Sequence, residues 1–252
     1  MTFSQTALAG RTALITGGGS GIGFGIARAL ARVGARVVIA SRNAERLEAA
    51  AGAIRAEGGA ALAAVADVRE DGAMQAMVDM AVARFGGLDI MVANAAGNFI
   101  LPFSDMSFNA WRTVIDIDLH GTFHSAKAAY PALKASPHGG RFIAITTMRA
   151  LDGWPGCAHA AAAKAGVMSL VRTLAVEWGP DGIRCNTIAP GPIGDTEGVR
   201  RLYPDAGPLS SVPLGSLGRI ADVANAAIYL CSEAGDFVNG SDVVVDGGRQ
   251  RV

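Results

Sequence analysis

The stretch TALITGGGSGIGFGIARALAR, residues 12–32, decides the fold. It opens as a short apolar run, TALIT, breaks into the glycine cluster TGGGSGIG at 16–23, and continues with apolar residues at helical spacing. Strand, glycine turn and helix in that order bring backbone N–H groups to the positive end of a helix, where a pyrophosphate can approach them. The spacing is Gly17-x-x-x-Gly21-x-Gly23, with Ser20 and Ile22 between, and departs from the strict GxGxxG pattern. A glycine cluster alone often marks only a tight turn, so the flanking strand and helix carry the nucleotide reading.

Outward from this stretch, short β-rich runs alternate with longer amphipathic segments almost to the end of the chain. The strands expected are 12–16, 36–40, 60–66, 88–94, 141–147, 183–190 and 242–248, with helices such as AERLEAAAGAIRAEGG and ADVANAAIYLCSEAG between them. Seven strands separated by helices predict an α/β fold, a doubly wound parallel sheet of Rossmann-like type. No repeat or polar linker interrupts the series, so residues 1–252 are read as a single domain. One segment breaks the rhythm. Residues 191–218 are rich in Gly, Pro and Ser and too long for an ordinary connection, which suggests a loop covering a substrate, the alternative being a variable surface insertion.

The end of the second strand bears on the choice of cofactor. A carboxylate there would bind the ribose 2′-OH of NAD, whereas Ala40-Ser41-Arg42 offers a hydroxyl and a guanidinium suited to a 2′-phosphate. NADP(H) is therefore expected, with Arg42 as a solvated helix-start charge being the other reading. Asp67, after the third strand, is placed either to receive the adenine amino group or to cap a helix. Asn94, Ala95, Ala96 and Gly97 put small residues where backbone must pass close to the cofactor.

Bulk properties narrow the partners. Twenty-two basic and twenty-two acidic residues cancel, which argues against nucleic acid or an acidic membrane as partner and favours a small-molecule substrate. Half of the residues are hydrophobic and 17% charged, enough to bury a sheet on both faces. Cys157, Cys185 and Cys231 lack CxxC spacing and read as reduced structural thiols. His120 and His124 lie four apart on an expected helix but lack a third ligand, so no metal site is expected. No apolar leader precedes the first strand, no run approaches the ~18 residues of a membrane span, and the terminal RQRV is no peroxisomal address. A soluble, cytoplasmic protein is expected.

Several of these motifs together resemble the short-chain dehydrogenase/reductase superfamily over essentially the whole chain. TGGGSGIG resembles its glycine loop, Asn94 to Gly97 its NNAG-type motif, Lys164 its active-site lysine, and Pro190-Gly191 its PG motif after the sixth strand. The resemblance adds Val68 and Ile193 to the expected cofactor positions. Of the superfamily's Asn, Ser, Tyr and Lys, only the lysine is unchanged: Asp118, Thr147 and Ala160 occupy the other three positions. The stretches NAAGNFI (94–100), AAAKAG (161–166) and PGPIGDTEG (190–198) are similar to the 2,4-dienoyl-CoA reductases, especially the peroxisomal type, which also lack that tyrosine. That resemblance implies NADPH-dependent reduction of a 2,4-dienoyl-CoA to a 3-enoyl-CoA in the breakdown of unsaturated fatty acids.

A ketone reductase needs an acid for its carbonyl oxygen, and tyrosine beside lysine suits that task. A dienoyl thioester instead accumulates charge on an oxygen that requires hydrogen-bond donors, and the proton goes to the α-carbon. On this reading Lys164 holds the nicotinamide ribose, the alternative being a surface helix lysine, and Asp118 orients a proton-donating water with Lys164 or else is a buried partner to a nearby backbone N–H or base. Thr147 donates to the thioester oxygen, unless it is a strand residue facing the core. Asn98, Phe99, Arg149 and Tyr203 are the expected substrate contacts, Arg149 near a CoA phosphate or else solvated. His159, next to the vacated tyrosine position, is the other candidate proton donor, although a one-residue shift on a helix rotates it by about 100° away from where the tyrosine would point. The resemblance further implies a homotetramer assembled through helices such as the Ala-rich segment 157–178. Two other readings remain open: a related reductase of another activated acyl or keto substrate, and a catalytically silent NADP(H)-binding protein.

Overall fold

A computed structural model describes residues 3–202 and 212–249. In chain order the elements are β1 (Thr12–Thr16), α1 (Gly21–Arg32), β2 (Arg36–Ser41), α2 (Ala44–Ala56), β3 (Ala60–Val65), α3 (Ala73–Phe85), β4 (Ile90–Ala93) and α4 (Phe108–Ile115). There follow a π-helical turn (Asp116–His120), α5 (Gly121–Lys134), β5 (Arg141–Ile145), α6 (Arg149–Asp152), α7 (Ala158–Trp178), β6 (Arg184–Pro190), α8 (Glu197–Leu202), α9 (Ile220–Cys231) and β7 (Asp242–Val245). The seven strands form one sheet in the order β3-β2-β1-β4-β5-β6-β7, and every neighbouring pair is parallel.

Successive strand residues face opposite sides of the sheet, so each strand feeds two cores. In β1, Ala13 and Ile15 join Ile26, Leu30 and Ile39 beneath α1, α2 and α9. Leu14 points the other way, into a cluster with Val38, Met91, Phe142 and Val171. All five residues of β1 are buried, as expected of a central strand covered on both faces. Local signals set several helix ends: the Asn43 side chain accepts from the Arg46 amide at 2.7 Å to start α2, and Gly86, at φ +89°, ends α3.

Strand order reverses between β1 and β4, where β2 and β3 lie to one side and β5, β6 and β7 to the other. Such a switch point opens a crevice beyond the carboxyl ends of the strands. Among the strands that stop earlier than their apolar runs suggest, β4 ends at Ala93, β5 at Ile145 and β7 at Val245. Polar residues just beyond these ends turn into the crevice. Of the segment 191–218, the described residues include α8 and a bridge between Ile193 and Gly218 at its base.

Candidate active site

The glycine loop is held by close packing, and each glycine has its own reason. A Cβ on Gly18 would lie 2.7 Å from Cβ of Ile39, and one on Gly23 would lie 2.4 Å from the Gly17 carbonyl oxygen. Gly17, at φ +65°, is pressed against the Asn94 side-chain amide. Gly21 differs: its φ is +54° and nothing lies within 4 Å of its would-be Cβ, so it faces open space at the start of α1. No side chain caps that helix at Ser20. An uncapped helix terminus beside an open glycine fits a dinucleotide's pyrophosphate.

Thr16 and Asn94 tie this loop to β4. The Thr16 hydroxyl oxygen accepts from the amides of Asn94 and Ala95, each at 3.0 Å, and the Asn94 side chain donates to the Thr16 carbonyl at 2.9 Å. Asn94 thus braces the cradle across the switch point. Ala96, in contrast, is exposed and lines the cavity described below. Thr16 has no glycine or catalytic signature, and its position at the end of β1 is the signal for it.

At the far end of the cradle, Ser41 Oγ lies beside Gly19, and Arg42 is exposed with no hydrogen bond or ion pair among the described residues. Asp67 does not cap a helix, because α3 begins six residues later behind Gly72. Its carboxylate instead accepts from the Arg69 backbone amide at 3.0 Å and is forked by the Arg69 guanidinium, which holds it below the ordinary carboxylate range. Val68 is buried, and its carbonyl meets His124 Nδ1 at 2.8 Å. His120 turns to Asp116 at 2.9 Å, so the two histidines serve different partners and do not converge.

Beyond β4, β5 and β6 lies a cavity of about 670 Å³. Asp118 and Lys164, 1% and 8% exposed, meet in its wall with Oδ2 and Nζ 3.3 Å apart. Nζ also donates to the Ile145 carbonyl at 2.9 Å, and the Gly97 amide donates to Asp118 Oδ1 at 2.7 Å. Burial pushes the Asp118 carboxyl up; the Lys164 ammonium and the Gly97 amide pull it the other way. Asp118 occupies the π-helical turn, where one extra residue per turn breaks regular helical spacing. The Thr122 hydroxyl donates to the Asp118 carbonyl at 2.6 Å.

Thr147 lies past the end of β5 and lines the cavity, its Oγ1 accepting from the Arg149 amide at 3.3 Å. It is therefore not a core-facing strand residue; Thr146 beside it is buried, donates to the Ile188 carbonyl at 3.3 Å and also borders the cavity. Asn98 and Arg149 also line the cavity, and both Asn98 Oδ1 and Arg149 Nε are buried without a hydrogen-bond partner among the described residues. Phe99, expected to touch substrate, packs instead behind the wall, edge-on to His159 with ring centroids 4.5 Å apart. His159 is 0% exposed and turned from the cavity, and burial lowers its pKa. Ala160 lines the cavity in the tyrosine's place. Ile22, Pro190, Gly191 and Ile193 complete the cofactor side. Tyr203 lies outside the described residues.

Some lining residues have no sequence signal of their own. Trp154, Thr196, Asp246 and Arg249 come to the cavity from the α6–α7 connection, the turn before α8 and the segment after β7, and only the fold brings them together. Gly97 acts through its backbone amide, which every residue type but proline carries.

A parallel sheet with this strand order, a glycine cradle at its switch point and a buried lysine beyond β5 define a nicotinamide-dependent short-chain dehydrogenase/reductase. The family model described as enoyl-(acyl carrier protein) reductase matches residues 17–250, and the chain belongs to that family. Among curated relatives, it is 44% identical over 251 residues to the peroxisomal 2,4-dienoyl-CoA reductase [(3E)-enoyl-CoA-producing] of Danio rerio, covering 98% of this chain and 83% of that protein. It is 41% identical to a probable 2,4-dienoyl-CoA reductase [(2E)-enoyl-CoA-producing] of Bacillus subtilis, covering 95% and 96%. Among solved structures, a short-chain dehydrogenase from Bacillus anthracis superposes with a TM-score of 0.87 at 43% identity, covering 96% and 97% of the two chains.

Proposed function

We propose that this protein reduces 2,4-dienoyl-CoA thioesters to 3-enoyl-CoA with NADPH. The observation that carries the reading is the buried Asp118–Lys164 pair facing a cavity in which Ala160 replaces the tyrosine. The similarity to named 2,4-dienoyl-CoA reductases over nearly the whole chain supports the same substrate class. NADPH is supported by Ser41 and the exposed Arg42, a hydroxyl and a guanidinium at the end of β2.

When bound, the cofactor supplies a hydride, which adds to C5 of the conjugated system. Electrons shift toward the thioester oxygen, where the Thr147 hydroxyl donates a hydrogen bond to the developing charge. Asn98 Oδ1, buried and without a hydrogen-bond partner among the described residues, accepts from a water that Asp118 and Lys164 orient. That water protonates C2, leaving the remaining double bond between C3 and C4, and the hydroxide it becomes takes a proton back from solvent. No step places a proton on the carbonyl oxygen for good, so alanine at 160 is compatible with turnover.

The test mixes purified protein with NADPH and trans-2,trans-4-decadienoyl-CoA and follows cofactor and diene absorbance together, with the product's double bond located by mass spectrometry. Loss of both absorbances with a 3-enoyl product supports the reading. NADPH binding without turnover sinks it, and a 2-enoyl product, the kind printed in the name of the Bacillus subtilis relative, corrects it. Arg42→Ala should narrow the preference for NADPH over NADH by about tenfold or more, the worth of a charge-assisted hydrogen bond. Assembly as a homotetramer belongs to the same proposal: Val176 on α7 and Phe123 on α5 are 78% and 49% exposed in the single chain.

A further inference from the structure

The alanine that replaces the tyrosine also shapes the cavity. Ala160 is 2% exposed, yet it lines the cavity, so its methyl group is part of the wall where a phenol ring would otherwise project. Around it the surface is apolar: Trp154 and Leu202 line the cavity too, and both pack on the small cluster of Val114, Cys157 and Ala160. One helical turn along α7, four residues on, stands Lys164 with its Asp118 partner. A single helix face therefore presents a hydrocarbon surface followed by a buried ion pair. A ligand matched to both has an apolar chain joined to a polar, charge-accepting head.

We infer that the space vacated at Ala160, walled by Trp154 and Leu202, is the subsite for the hydrocarbon chain of the acyl thioester. This rests on the reading of the protein as an acyl-CoA reductase and assigns the substitution a second consequence. Removing the phenol takes away an acid and, at the same place, opens room for the chain. Trp154 forms the side of that room and sets how long or bulky a chain it accepts. Each methylene buried against such a wall is worth about fourfold in affinity.

Three variants test it: Ala160→Phe and Ala160→Tyr, which refill the space, and Trp154→Ala, which widens it. Two readouts are used, kcat/KM for hexadienoyl-, octadienoyl- and decadienoyl-CoA, and calorimetric binding of saturated decanoyl-CoA to the NADP-loaded protein, which needs no turnover. We expect both Ala160 variants to bind decanoyl-CoA roughly 100-fold more weakly while holding NADPH as the wild type does. We expect Trp154→Ala to shift the series toward longer or branched chains. Undiminished decanoyl-CoA binding in Ala160→Phe overturns the inference, as does loss of NADPH binding in step with it. Should the Ala160 variants fail to fold, an unchanged chain-length series in Trp154→Ala overturns it equally. A wild type that binds decanoyl-CoA in the Ala160-dependent way but reduces no diene leaves the subsite standing and removes the dienoyl reading instead; a wild type that binds no decanoyl-CoA removes the subsite.

Discussion

Thr16 shows how one hydroxyl can matter without touching a substrate. It accepts two backbone amides from the segment after β4, each at 3.0 Å. Thr16→Val keeps the shape and leaves both amides unsatisfied, so urea denaturation should show a loss of about 2 kcal/mol, largely recovered in Thr16→Ser. Asp118 gives a prediction in pH. Burial raises its pKa, so the ionised form that pairs with Lys164 is reached only above the ordinary carboxylate range. kcat/KM should therefore rise through an acid limb displaced upward from about 3.9, and the limb should vanish in Asp118→Asn with turnover down about 100-fold or more. For stability the sign is opposite. With the folded pKa raised, the contribution of this carboxyl is fully present below its unfolded value and is lost as pH rises through the folded one. Lys164 and Asp118 are legible from residue type and motif position, whereas their 3.3 Å contact is not, because Asp118 lies in a turn whose spacing the sequence does not announce.

At the scale of elements, the loop between β1 and α1 is a stack of contacts that only glycine satisfies. Gly23→Ala would force a methyl group against the Gly17 carbonyl oxygen, a backbone atom that cannot step aside. We expect NADPH affinity, measured by fluorescence titration, to fall at least tenfold, with a stability loss of about 1–3 kcal/mol. The glycine spacing makes the loop recognisable in the sequence, and the division of labour among its glycines is not. Gly21 is open and Gly18 and Gly23 are crowded, a difference set by Ile39 on the next strand and by Asn94 on β4's end. Strand ends show the same limit. Apolar runs such as LDIMVAN and RFIAITT continue past the last paired residues, Ala93 and Ile145, although the strands beside them run on; the Asn94 amide turns to the Thr16 hydroxyl instead of a strand partner. Residues just beyond, Asn94 and Thr147, are thereby released for the site.

The whole molecule is a sheet with two buried faces and one working edge, the carboxyl ends of β1, β4, β5 and β6. Its outer surface keeps Val176 and Phe123 on α7 and α5 in contact with water in the single chain. Light scattering coupled to size exclusion should give a mass of four chains; a stable monomer would remove the tetramer from the proposal. Sequence alone determined the alternation of strands and helices, the cofactor loop, the retained lysine and the missing tyrosine, because hydrophobic period, glycine spacing and motif position are local properties of the chain. The tertiary structure decided which distant groups meet: Asp118 with Lys164 and Gly97, Asp67 with Arg69, Phe99 with His159 away from the cavity, and Trp154 with Ala160 within it. Those meetings depend on strand order and on a widened helical turn, which bring together residues far apart in sequence by packing that no local pattern encodes.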